Sequence, residues 1–227
     1  MPVAIPRPRT EQELLQRART LAGATLADIA ASLQRVPPSD LRHAKGWVGE
    51  LIETALGATA GSKPEPDFAE LGVEVKTLPV DGRGMPKEST HVCAISMREA
   101  AGARWETSLA RAKLARVLWV PVEASSTIAL PMRRVGQAIL WSPSAREEAL
   151  IRRDWEEHME LIALGRSDEI SGEMGVALQV RPKAASGSAR TPGNDVGGAR
   201  TATLPLGFYL RTGFTATILG YAYAPGD

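Results

Sequence analysis

Apolar residues fall on one helical face three times in the first quarter of the chain. After Thr10, whose spacing to Glu13 has the form of a capping box, Leu14, Ala18 and Leu21 recur three or four positions apart. Leu26, Ile29, Ala30 and Leu33 form a second stripe over residues 25–33, which Pro37-Pro38 stops. A third begins near Gly46 with Trp47, Val48, Leu51, Ile52, Ala55 and Leu56; Gly57 is its terminator, and Glu50 and Glu53 project from its other side. The period then shortens. Residues 73–80, 90–96 and 116–123 read as strands, the first two joined by the turn Asp81-Gly82-Arg83-Gly84, a connection that predicts antiparallel pairing. A long helix over residues 144–164 is capped by Ser144 with Glu147 and buries Ile151, Trp155, Met159 and Ile162. A short strand over residues 177–180 runs into Arg181-Pro182-Lys183, and the Gly-, Ser-, Ala- and Pro-rich residues 184–200 predict a mobile loop. A strand over 206–210 and a helix from Gly213 to about Gly220 close the chain. The predicted class is α+β, a mixed sheet flanked by helices.

Within that pattern, residues 67–76 (Asp-Phe-Ala-Glu-Leu-Gly-Val-Glu-Val-Lys) carry the candidate chemistry. Strand alternation sends Val73 and Val75 to the core, and Glu74 and Lys76 together to the other side. Leu71-Gly72 marks a bend that can bring Asp67 back beside the strand. Two readings fit these ten residues. One is a solvated strand face, on which such charges pair for little gain. The other is a metal nuclease site, where acids hold Mg²⁺ and a lysine orients or activates water.

Composition narrows the setting. A chain of 227 residues suffices for one sizeable domain or two small lobes. No stretch is long and apolar enough to span a membrane, and the proline-containing N-terminus does not read as a signal peptide. The single cysteine, Cys93, excludes an internal disulfide, fits a cytoplasmic location and lies in an apolar run as a core residue; three scattered histidines offer no zinc site. Net charge is only +1, yet Arg104, Arg111, Lys113 and Arg116, then Arg133, Arg134, Arg181 and Lys183 are basic, while Glu147, Glu148, Asp154, Glu156, Glu157 and Glu160 are acidic. A basic cleft with acidic outer faces gives that total, and so does a mixed surface.

Several separate segments then resemble one family. Lys45-Gly-Trp-Val-Gly-Glu-Leu-Ile-Glu53, Gly61-Ser-Lys-Pro-Glu65 and residues 67–76 look like the MutH mismatch-repair endonucleases. So do Trp105-Glu-Thr-Ser108, residues 113–122, Arg133-Arg-Val-Gly136, Leu140-Trp-Ser-Pro143, Arg181-Pro-Lys-Ala184 and residues 204–210, in order, from about residue 12 to residue 218. The resemblance implies a restriction-endonuclease-like fold: one endonuclease domain with an N-terminal catalytic arm (roughly 1–105) and a C-terminal recognition arm (roughly 106–227) around a DNA cleft. It implies Mg²⁺-dependent nicking of the unmethylated strand at hemimethylated GATC sites in double-stranded DNA. Activation by MutL, an indirect link to MutS and a chain monomeric in isolation belong to the same expectation. By the same resemblance Asp67 and Glu74 are metal ligands, Glu53 is an additional acid at the metal, Lys76 acts on the water and Lys113 on the scissile phosphate. Lys45, Arg181, Pro182 and Lys183 match DNA-contacting positions, and Tyr209 matches the position assigned to sensing adenine methylation. His91 stands where an aromatic residue is expected in relatives.

Two other readings remain. A DNA-binding regulator without catalysis would use residues 25–33 as the first helix of a helix-turn-helix, although Pro37-Pro38 interrupts its continuation. A restriction-type nuclease of the same fold would cut another target.

Overall fold

A computed structural model describes residues 5–39, 46–58, 64–97, 99–183, 191–194 and 200–223. The chain divides into two compact units, Met1–Glu88 with Ala115–Ser142 and Leu219–Asp227, and Ser89–Leu114 with Pro143–Ile218.

In the first unit, α1 (Glu11–Leu21), α2 (Leu26–Ser32) and α3 (Trp47–Leu56) follow the predicted stripes. Thr10 accepts the Glu13 N–H, but the Glu13 carboxylate accepts from Arg9 N and Arg17 rather than closing the capping box. The complete box sits on α2, between Thr25 and Asp28. That helix buries Leu26, Ile29 and Ala30 in the core, and no helix follows it directly in the described chain. Gly57 ends α3 at φ +88°, and a Cβ there would stand 2.5 Å from Pro6 O, so position 57 requires glycine twice over. These helices pack with Phe68, Val73, Val75, Leu118, Val120 and Val122 into one apolar cluster.

The expected antiparallel pairing of the first two strands is not found. The strand β1 (Glu74–Val80) pairs in parallel with the third predicted strand, Val117–Glu123, while the second, β2 (Thr90–Ala94), joins the other unit. Parallel pairing needs a crossover, and β2 with α4 (Leu109–Leu114) supplies it before β3 (Val117–Glu123). A further strand, β4 (Ile139–Trp141), lies antiparallel to β3, so this sheet of order β1-β3-β4 is itself mixed. The single sheet expected from the sequence is thus several small ones.

In the second unit, α5 (Ala145–Ala163) carries its predicted capping box and buries Ile151, Trp155, Met159 and Ile162. It also buries Asp154 and His158, which share that helical face. The sequence grouped Asp154 with an acidic outer face; the structure leaves it 0 % exposed. Its Oδ2 accepts the consecutive N–H groups of Val176, Ala177 and Leu178 at 2.8, 2.6 and 2.9 Å. Those bonds launch β5 (Leu178–Pro182). The segment expected to be a loop, residues 184–200, contains β6 (Thr191–Asn194) and ends on the first residue of its antiparallel partner β7 (Arg200–Thr203); residues 184–190 and 195–199 lie outside the described chain. A three-stranded antiparallel sheet of order β2-β8-β5, with β8 (Leu206–Leu210) central, and the closing α6 (Thr212–Tyr223) complete the chain. Cys93 packs as a core residue of this sheet.

Burial pushes the His158 imidazole below the usual histidine range, although its Nε2 contact with Leu178 O, 3.3 Å, works the other way. The unfolded chain takes up that proton as pH drops through about 6.5 and the folded chain does not, so acidification favours unfolding. Denaturant titrations should show stability falling from pH 7 to 5.5, with a visibly smaller slope in His158→Gln. Equal slopes would remove His158 as the cause.

Candidate active site

Three residues of the first unit meet at the start of β1. Gly72, at φ +65°, turns the chain so that Phe68 and Val73 bridge through N–H···O bonds of 2.9 and 3.2 Å. That tight turn brings Asp67 back to the strand, where its Oδ2 accepts the Val75 N–H at 2.8 Å. The bend anticipated at Leu71-Gly72 has the anticipated result. Val73 and Val75 are buried, as alternation requires. Glu74 is buried too, at 2 %, and its Oε1 accepts from Lys76 Nζ at 2.6 Å. A solvated strand face does not look like this: a carboxylate so far from water needs a cation, and Lys76, itself only 15 % exposed, is one.

Glu53 comes from the last turn of α3. Its Oε1 stands 3.8 Å from where a Cβ of Gly49 would lie, and Thr77 Oγ1 stands 3.6 Å from the same point. Gly49 thus marks the place where α3 lies on β1, with Glu53 Oε1 and Thr77 Oγ1 both close to the same point, although a Cβ there would meet them only in ordinary van der Waals contact. Beside this contact a recess of about 220 Å³ is lined by Gly49, Thr77, Glu88, Glu123 and Arg133 among others. Among the described residues, no three His, Cys, Asp or Glu side chains form a metal-holding group. Lys113 lies in the last turn of α4, in the second unit. Lys45 lies outside the described residues.

The residues expected to read DNA lie together on the second unit. Arg181 and Pro182 end β5 and Lys183 follows; all three are exposed. Arg181 Nη1 donates to Ser89 Oγ at 2.7 Å, and Lys183 N donates to Pro205 O at 2.7 Å, which ties the strand end to the approach of β8. Tyr209 stands on β8 between His91 on β2 and Gln179 on β5.

A family model for the DNA mismatch repair enzyme MutH matches residues 56–154, a span that includes Asp67, Glu74, Lys76 and Lys113. The DNA mismatch repair protein MutH of Pasteurella multocida is 55 % identical over 212 residues, 93 % of this chain and 96 % of the relative. The chain belongs to the MutH family. Two further MutH proteins, from Vibrio vulnificus and Escherichia coli, are 51 % and 50 % identical over 96 % and 93 % of this chain. Arg181 and Tyr209 fall beyond the segment that the MutH model matches, but these relatives run nearly the length of the chain. Sequence reasoning missed two residues that shape this part of the molecule. Asp154 was legible from its helical spacing to Ile151 and Trp155; Gly207 had no signal apart from its strand.

Proposed function

We propose that the chain nicks the unmethylated strand of duplex DNA at hemimethylated GATC sites, as a Mg²⁺-dependent endonuclease of mismatch repair. The observation that carries this reading is the buried Glu74–Lys76 pair on β1 with Asp67 folded back beside it. Membership of the MutH family makes the chain a DNA mismatch-repair endonuclease, a phosphodiester hydrolase. The target sequence, the metal and the residue roles are the proposal.

Asp67 and Glu74 would hold Mg²⁺, with Glu53 as an additional acid. Their donors are all carboxylate oxygens, the hard ligands this cation prefers, and a carboxylate as buried as Glu74 favours positive charge next to it. The bound cation would acidify the attacking water and offset charge gathering on the phosphate. Lys76 Nζ, anchored on Glu74, either orients that water or accepts its proton. Lys113 and Lys45 would neutralise phosphate charge. Arg181 and Lys183 offer donors to base edges and phosphates, with Pro182 stiffening the strand end between them. An N6-methyl on adenine adds bulk and removes a donor hydrogen at the major-groove edge, and Tyr209 would sense that change.

A restriction-endonuclease-like fold completes the reading, with a catalytic arm mainly N-terminal and a recognition arm mainly C-terminal around the DNA. MutL would activate the chain, MutS would act through MutL, and the isolated chain would be a cytoplasmic monomer. Supercoiled plasmids with and without GATC test it. Nicking confined to the GATC plasmid, dependent on Mg²⁺ and raised by MutL with ATP, is the expected result. Equal cutting of both plasmids would point to another target, and binding without cleavage to a regulator.

A further inference from the structure

Tyr209 does not stand alone on its sheet. The register places His91 directly opposite it on β2 and Gln179 opposite it on β5, while Gly207, two positions earlier on the same face of β8, lies opposite Arg181. A register shift between His91 and Cys93 re-aims His91 at this row. The imidazole meets the phenol ring edge to face, centroids 5.1 Å apart and planes at 65°. It can do so because position 207 has no side chain. A Cβ there would stand 3.3 Å from His91 Nε2, 3.4 Å from Cδ2 and 3.1 Å from Cys93 O, so the ring occupies the space a side chain would fill. Arg181, tied to Ser89, borders the same row.

We infer that His91, seated over Gly207, is a positioning residue for Tyr209 that sharpens discrimination between methylated and unmethylated adenine. The inference rests on the proposed role of Tyr209. A phenol free to swing can retreat from an added methyl, whereas one backed by a second ring holds its place and rejects it. The ring edge matters here rather than a titrating proton, because the T-shaped contact draws on the polarity of aromatic edges and faces.

Nicking rates on unmethylated and fully methylated GATC duplexes, expressed as a ratio, test the inference in His91→Leu and His91→Phe. Leucine keeps the bulk and removes the ring; phenylalanine restores the ring. The ratio should fall about 3- to 10-fold in His91→Leu and return to within about twofold of the natural chain in His91→Phe, the range an edge-to-face pair supplies. An undiminished ratio in His91→Leu overturns the inference. A natural chain that cuts both duplexes alike overturns the proposed function, and the inference with it. The Tyr209 ring resonances of the DNA-free protein provide a readout without catalysis. They should shift and show faster ring flipping in His91→Leu and recover in His91→Phe; unchanged resonances in His91→Leu overturn the inference whatever the nicking rates.

Discussion

Asp67→Asn is expected to lower Mg²⁺-dependent nicking about 10³-fold while duplex binding and thermal stability stay close to those of the natural chain. The carboxamide keeps an oxygen that can accept the Val75 N–H, so the fold-back of residues 67–73 survives. What it removes is a full negative charge where the reading places a divalent cation, and loss of a charged metal ligand costs several kcal/mol of transition-state stabilisation. Lys76→Ala tests the same site from the other side with a different signature. It should also abolish nicking, but it takes the lysine away from Glu74, 2 % exposed, and removing one partner of a buried ion pair typically costs up to about 3–5 kcal/mol. Nicking assays beside denaturant melts separate the two. An Asp67→Asn chain that cuts normally would sink the metal assignment, and a Lys76→Ala chain as stable as the natural one would show that Glu74 does not rely on the ion pair.

The second large effect is structural. Asp154→Ala deprives three consecutive N–H groups of their shared acceptor, two of them, those of Ala177 and Leu178, buried where water cannot replace it, while the Val176 N–H lies on an exposed residue. Each buried donor left unsatisfied costs about 1–3 kcal/mol; since one small movement can partly re-satisfy all three, a total near 3–5 kcal/mol is expected. For a chain of this size that lowers the melting temperature by roughly 10 °C. Asp154→Asn keeps an oxygen acceptor and should cost less than half as much. Calorimetry of both variants decides the matter, and equal losses would show that charge, not hydrogen bonding, holds the residue. Because β5 starts at Leu178, the last of the three anchored groups, the alanine variant should also loosen Arg181 at the strand's far end.

Much of this is legible in the sequence. The helical stripes of α1, α2, α3 and α5 identify themselves because one face of each must be apolar, and Gly72 announced the bend that returns Asp67 to β1. Strand partners were not legible. The turn at residues 81–84 invites a hairpin, yet β1 takes β3 and β2 takes β8, since pairing is decided by long-range burial that local sequence does not encode. Burial of charge misled in two places: Glu74 read as compatible with a wet face, and Asp154 read as part of one. Hydrophobic patterning treats every carboxylate as an outward marker, so it cannot see one whose acceptors are needed inside. Gly207 was invisible for a related reason, and His91 stood out only as a departure from the expected aromatic residue, because their fit exists only across two strands.

The strand with the acids has a neighbour that comes late. Between β1 and β3 the chain inserts β2 and α4, and the same unit takes in the far end of α6 from Leu219. During synthesis, Glu74 and Lys76 therefore leave the ribosome well before Val117 and Trp119, which flank them in register. Such non-local parallel pairing carries a high loop-closure cost, and no single break in the backbone leaves that unit whole. An incomplete chain would thus hold Glu74 and Lys76 on a strand without its β3 partner. If Glu74 and Lys76 act as proposed, chains terminated before β3 are expected to be inert, so that assembly order guards against unsupervised cutting.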